Sequence, residues 1–294
     1  MEIKKSSLAA GVLCYMIWGV LPIYWNILGG VDTMLILCFR IVFAFVFTMG
    51  LLIASGRTHV FLQTIKNRET MRYLIPASAL ITFSWGYYIW AVNSGRILDT
   101  SLAYYINPLI SFLFGVSIFK EHSSKLQYVA VGMAFTGVLI SVIAYGSFPY
   151  VSLMLALAFA CYGITKKKAR ADPISSIAIE SLIVLPLALI FTLVFLRDEV
   201  RSVGGTDLLL LIGGGAVTAI PLALYARSVN EIPYIVIGFI QYISPSMTLI
   251  YGLLSGEALS GSQAISFFFT WPALILFSIA TVITHKRAVS NRLS

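Results

Sequence analysis

Long apolar runs fill this chain, and short polar clusters interrupt them. A membrane-crossing helix needs about 20 apolar residues to cover about 30 Å of hydrocarbon. Ten runs meet or approach that length: 8–28, 34–55, 73–92, 100–119, 126–144, 149–165, 174–196, 207–226, 234–254 and 264–284. In lipid only a helix satisfies its own backbone. The pattern therefore predicts an all-α polytopic membrane protein with ten transmembrane helices. The sixth run is the shortest, and the lysines after it can snorkel to extend it. The first run continues through Trp18 and Trp25 to Leu28, too long for the apolar core of a cleaved leader, and is expected to be a retained span.

Polar punctuation sets the expected orientation. Sixteen of the twenty Lys and Arg residues fall in alternate connections: the N-terminal tail, 56–72, 120–125, 166–173, Arg227 and the C-terminal tail. The opposite set holds Arg96, Arg197 and Arg201, and Arg40 lies within a run. Basic residues concentrate on the cytoplasmic side, so both termini are expected there, in a multi-pass protein.

Composition agrees with the pattern. Of 294 residues, 59% are hydrophobic and 11% charged, against about 25% charged in soluble domains. The net charge of +8 belongs to those cytoplasmic loops, and no basic, aromatic-interleaved stretch outside the apolar runs suggests nucleic acid. The loops are too short to fold as domains, and none carries a GxxxxGK[ST] phosphate loop. Cys14, Cys38 and Cys161 form no CxxC or metal pattern, and His59, His122 and His285 sit in loops or at a helix end. No metal or cofactor is expected. HExxH, GxSxG and paired carboxylates within the runs are missing from the sequence, so an enzyme is not expected. A membrane-embedded enzyme or a channel without a recognisable motif is the alternative to a transporter.

Two runs carry the same internal frame. YYINPLISFLFG (104–115) and QYISPSMTLIYG (241–252) share Tyr-Ile-x-Pro followed by Gly, and each match lies 137 residues on. Glu121 and Glu257 follow these runs at a spacing of 136, and Arg40 and Glu180 are 140 apart. The chain thus divides into five runs plus five, 1–145 and 146–294. An odd number of spans reverses the second half, giving the inverted repeat common in secondary transporters. Pro108 and Pro245 fall about 12 and 16 Å into their runs at 1.5 Å per residue, near the bilayer centre. There a helix breaker frees backbone groups that need a partner or a wet cavity. The prolines are candidate hinges. Tyr104, Tyr105, Asn107, Gln241, Tyr242 and Ser244 are candidate substrate-binding residues, with Asn107 and Gln241 expected to face one central cavity.

Arg40 and Glu180 are the charges expected deep within runs, where each needs partners. Entering from opposite sides, they sit about 12 Å apart in depth, so separate partners are expected. Arg40 is a candidate for a substrate carboxylate, and Glu180 a candidate for proton coupling, with a carboxylate held by hydrogen bonds as its structural alternative. Trp85 and Tyr88, three apart on one helix face, and Trp18 are candidate cavity-wall residues, while Trp90 suits an interfacial belt. The Gly213-Gly214-Gly215 run is a close-packing signal.

IWGVLPIYW (17–25), IWAVN (89–93), SLAYYINPL (101–109), CYGITKKK (161–168), IESLIVLP (179–186) and GFIQYISP (238–245) resemble, in this order, the RarD branch of the EamA family in the drug/metabolite transporter superfamily. The resemblance implies two inverted five-helix repeats, the bacterial inner membrane, and export or exchange of small metabolites. Expected partners are a small-molecule substrate, the lipid bilayer and protons, with no nucleic acid; the chain is expected as a monomer or homodimer. Relatives often carry a Glu and a His where this chain has Leu35 and Phe39, and Asn-Trp where it has Ser84-Trp85.

Overall fold

The computed structural model describes residues 4–254 and 261–293. They form thirteen helices: α1 (Lys5–Ile27), α2 (Thr33–Ala54), α3 (Thr58–Lys66), α4 (Arg68–Asn93), α5 (Ile97–Ser117), α6 (Lys125–Tyr145), α7 (Tyr150–Ala169), α8 (Pro173–Phe195), α9 (Arg197–Ser202), α10 (Gly205–Glu231), α11 (Tyr234–Ile240), α12 (Ile243–Leu254) and α13 (Gly261–Leu293). No strand occurs among the described residues. Seven stretches have the length and composition to cross a membrane: Lys5–Ile27, Thr33–Ala54, Lys125–Ala144, Pro173–Phe195, Gly205–Glu231, Tyr234–Tyr251 and Phe267–Thr284. The protein is a polytopic α-helical membrane protein. Glu257, matched above to Glu121, lies outside the described residues.

Local chemistry starts several helices. Asp32 caps α2 by accepting from the amides of Met34 and Leu35 at 2.9 and 3.0 Å. Asp172 caps α8 by accepting from the amide of Ser175 at 2.9 Å, with Pro173 in the first turn. The two caps have nearly the same backbone, φ −55°, ψ 132° and φ −54°, ψ 131°, and stand 140 residues apart. Ser124 and Gln127 form a reciprocal capping box at the start of α6.

The helices fall into two compact units. One comprises Met1–Gly19, Ala91–Ala160 and Glu231–Ser294. In it α6 packs along α13 and α5 along α11. Phe239 of α11 stacks on Phe277 of α13 at 3.6 Å between centroids, and Phe112 of α5 meets both rings edge-on. Gly238 permits the α5–α11 approach, since a Cβ there would lie 3.0 Å from the Pro108 carbonyl oxygen and from Ser111 Cβ.

The second unit comprises Val20–Trp90 and Cys161–Asn230. Its core is the α2–α8 pair. Leu35, Leu37, Cys38, Ile41, Ile89, Ala188 and Leu196 form one buried cluster, with Phe39 and Trp85 packed against it. Leu35 and Phe39 are therefore apolar packing groups. In the same unit a Cβ at Gly215 would fall 2.3 Å from the Phe43 carbonyl carbon, so the bare glycine lets α10 lie directly on α2.

The two proline runs differ in detail. Pro108 lies inside a continuous α5. The ninth run instead breaks at Gln241 and Tyr242, between α11 and α12, and Pro245 becomes the third residue of α12. In a first turn the amide that proline lacks has no helical acceptor to lose.

Candidate functional site

In the first unit the Tyr-Ile-x-Pro copies meet. The Tyr242 hydroxyl donates to the Tyr105 carbonyl oxygen at 3.2 Å. Gln241 Nε2 donates to Ser111 Oγ at 3.2 Å, Ser111 Oγ donates to Asn107 Oδ1 at 3.1 Å, and Asn107 Nδ2 donates to the Ala156 carbonyl oxygen at 3.2 Å. Asn107 and Gln241 are only 6% and 7% exposed. They come together as a buried, bonded chain linking α5, α7 and the α11–α12 break. Ser111, one helical turn beyond Asn107, is the link that the sequence did not single out. Tyr105 is buried with its ring edge-on to Phe267. Tyr104 is exposed and Ser244 half-buried. Trp18 is half-buried and makes edge contacts with Tyr15 and Phe159.

The second unit holds the intramembrane charges. Arg40 lies seven residues into α2, about 10 Å along the helix. An unpaired charge at depth costs at least about 2.5–3.5 kcal/mol. The Arg40 guanidinium sits 4.6 Å from the Trp25 ring centroid and 4.5 Å from that of Trp85. Its Nε donates to Thr218 Oγ1 at 3.1 Å. Each cation–π contact is worth up to about 2 kcal/mol when desolvated, so the two indoles offset much of the cost of burial. Thr218 reaches Arg40 because it stands three residues after Gly215, on the turn that α10 presses against α2. Tyr88, one turn beyond Trp85, is exposed.

Glu180 has different partners. Lys166 Nζ donates to Glu180 Oε1 at 2.6 Å and to Ser176 Oγ at 2.6 Å. The Tyr162 hydroxyl donates to Glu180 Oε2 at 3.1 Å, and the Tyr162 ring stacks on Tyr225. Lys166 and Glu180 are 2% and 4% exposed. This corrects the sequence reading, which put Lys166 in a cytoplasmic loop. α7 runs on to Ala169, so Lys166 is in its last turn and turns inward. Asp99 of α5 is also buried, accepting from Ser152 Oγ at 3.1 Å, and so joins the interior charges. Arg57 and Asp172 form an ion pair at 2.6 Å between the connections that follow α2 and α7. No group of three or more His, Cys, Asp and Glu able to hold a metal occurs among the described residues.

Known proteins share the sequence and the fold. The family profile for the EamA-like transporter family matches residues 5–143. The "Uncharacterized transporter YojE" of Bacillus subtilis is 39% identical over 293 residues, covering 98% of this chain and 97% of the relative. "Protein RarD" of Escherichia coli is 31% identical over 288 residues, covering 96% and 97%. "Protein RarD" of Streptomyces exfoliatus is 32% identical, covering 97% and 92%. A crystal structure of a further protein matches with a TM-score of 0.73 at 17% identity, covering 93% of this chain and 98% of the other, a likeness of fold. Full-length identity to both sets of relatives, with the helical membrane fold, makes this chain a membrane transporter of the EamA-like family, in its RarD branch.

Proposed function

We propose that the protein is a secondary transporter of the bacterial inner membrane that exports or exchanges small amino-acid-like or amphipathic metabolites by alternating access around a midplane cavity. In this reading ten segments cross the membrane as two inverted repeats, 1–145 and 146–294, with both termini cytoplasmic. The observation that carries it is the meeting of the two Tyr-Ile-x-Pro copies, 137 residues apart, through the Tyr242–Tyr105 bond. An in-plane pseudo-two-fold brings equivalent residues together in this way, and it lets two halves exchange roles as the site opens to either side.

Further pairs support the repeat. The matched caps Asp32 and Asp172 stand 140 residues apart. The boundaries of the compact units after residues 19 and 160 are 141 apart, and those after 90 and 230 are 140 apart. The Arg57–Asp172 pair joins two connections that the charge pattern assigns to one side, which supports the orientation. Trp18, Arg40, Trp85, Tyr88, Tyr104 and Ser244 are the proposed substrate contacts. Asn107, Tyr105, Gln241 and Tyr242 are proposed to serve the site from the bonded helix crossing, about which Pro108 and the break before Pro245 flex. Glu180 is the proposed proton carrier, which requires its bond to Lys166 to open during the cycle.

Counterflow in proteoliposomes tests the proposal. A carrier gives saturable uptake that is accelerated by unlabelled substrate on the far side. Flux without saturation or counterflow identifies a channel, and turnover without flux an enzyme; either sinks the proposal. For coupling, transport by Glu180→Gln that keeps its full response to a pH gradient removes Glu180 from that role.

A further inference from the structure

α3 is a surface helix with three distinct faces. Three residues separate it from α2, and one, Asn67, separates it from α4. α2 has the length and composition to cross a membrane, so α3 starts at the level where that span leaves the hydrocarbon. Both corners are fixed. The Arg57 amide donates to the Leu52 carbonyl oxygen at 2.8 Å, and Asn67 Oδ1 accepts from the amides of Glu69 and Thr70 at 3.0 and 3.2 Å. At about 100° per residue, Phe61 points one way, into the buried cluster with Leu52, Leu74, Ala169, Ala178 and Ile179. His59, Gln63 and Lys66 point the other way and are exposed. Between them stand Leu62 and Ile65, one turn apart and 54% and 36% exposed. A bare apolar flank beside a polar face, on a helix anchored at the end of a span, is the pattern of a helix lying in a membrane surface.

We propose that α3 and the corner after it bind an anionic phospholipid of the membrane surface. Leu62 and Ile65 receive the start of the acyl chains, and Lys66, Arg68 and Arg72 receive the phosphate. These three cations are exposed, and Arg68 and Arg72, four apart, share a face of α4. Arg57 is held by Asp172 at 2.6 Å, which ties α3 to the cap of α8. Glu69 is the one carboxylate between residues 56 and 72, so the corner keeps a net positive charge. α9 is the contrast within the same unit. It follows α8 as α3 follows α2, yet its exposed Arg197 and Arg201 stand beside Asp198 and Glu199, and Val200 is its one apolar side chain. A zwitterionic headgroup gains little from three cations, and a soluble anion gains nothing from Leu62 and Ile65. The site does not depend on what the protein carries.

The test takes the full-length protein in neutral detergent and counts retained lipid by native mass spectrometry. The probes are dioleoylphosphatidylglycerol, dioleoylphosphatidylcholine and soluble glycerol 3-phosphate. Phosphatidylglycerol is expected to bind about tenfold or more tightly than phosphatidylcholine, and glycerol 3-phosphate is expected not to displace it. A cation near an anionic lipid is worth about fivefold in affinity. Lys66→Gln/Arg68→Gln/Arg72→Gln is therefore expected to lose about 100-fold for phosphatidylglycerol, and Arg197→Gln/Arg201→Gln on α9 to lose nothing. Leu62→Ser/Ile65→Ser is expected to weaken the same lipid roughly tenfold. Equal retention of the two lipids, displacement by glycerol 3-phosphate, or a triple variant that keeps its phosphatidylglycerol overturns the inference. So does a dimer that Leu62→Ser/Ile65→Ser dissolves, because a second copy then covers the apolar flank. If the triple variant does not fold, hydrogen exchange on the unaltered protein decides. Slower exchange of the α3 amides in phosphatidylglycerol nanodiscs than in phosphatidylcholine nanodiscs supports the site, and equal exchange overturns it.

Discussion

Tyr242 donates its hydroxyl to the carbonyl oxygen of Tyr105 at 3.2 Å, and the two residues hold the same place in two copies of one motif. The bond lies in a seam where Gly238 brings α11 against Pro108 and Ser111. Hydrogen bonds between membrane helices average about 0.6 kcal/mol and reach about 1.7 kcal/mol. Overpacking a close contact costs about 1–3 kcal/mol. Tyr242→Phe is therefore expected to cost less than Gly238→Ala in equilibrium unfolding in mixed micelles. The reverse order would make the hydroxyl, and not the backbone approach, the main hold on the seam.

The helical membrane class was legible because lipid demands length and hydrophobicity, and seven stretches among the described residues have the length and composition to cross a membrane. The break in the ninth run was harder to see. Proline marks a place where a helix weakens, but the sequence does not say whether the helix runs on through it, as at Pro108, or starts anew around it, as at Pro245. Arg40 and Glu180 stood out as charges among apolar residues. Their partners did not, because pairing depends on which helices meet. Trp25 lies fifteen residues before Arg40 and Thr218 lies 178 after it, and neither spacing is a helical one. Lys166 was hidden by its neighbours: in a run of three lysines, a snorkelling face and a buried ion look alike until α8 is placed.

Gly214 and Gly215 separate packing from tolerance within one turn. A Cβ at Gly215 would lie 2.3 Å from the Phe43 backbone, whereas one at Gly214 would meet Trp25 at an ordinary 3.6 Å. Gly215→Ala is expected to destabilise by about 1–3 kcal/mol and to move Thr218 away from Arg40. Gly214→Ala is expected to be neutral or to gain up to about 1 kcal/mol in helix propensity. Thermal unfolding in detergent distinguishes them, and equal losses would mean that α10 does not depend on its approach to α2.

Glu121 caps the start of α11. Its two carboxylate oxygens accept from the amides of Tyr234 and Ile235 at 2.7 and 2.9 Å. A charged acceptor makes each bond worth about 1.5–3 kcal/mol. Glu121→Ala is expected to lower stability by about that amount or more, and Glu121→Gln, which keeps one acceptor oxygen, by less. Hydrogen exchange at the α11 amides should rise in the same order. Unchanged exchange in Glu121→Ala would show that α11 is held by its packing alone.

The Lys166–Glu180 pair separates the cost of a buried charge from the value of the bond. Removing one partner of a buried ion pair costs about 3–5 kcal/mol because the other charge is stranded, whereas replacing both with neutral groups of similar volume is often near neutral. Lys166→Met and Glu180→Gln are each expected to unfold at markedly lower temperature, and the double variant to recover most of the loss. Recovery would show that the pair is needed for charge balance, since the double variant keeps the side-chain volume and the Tyr162 hydroxyl still finds an oxygen at position 180. If the double variant is as unstable as the worse single one, the Lys166 bonds to Ser176 and Glu180 themselves hold α7 against α8. Transport by a stable double variant then bears on coupling directly: it lacks both charges, so a pH-gradient response that survives must arise elsewhere.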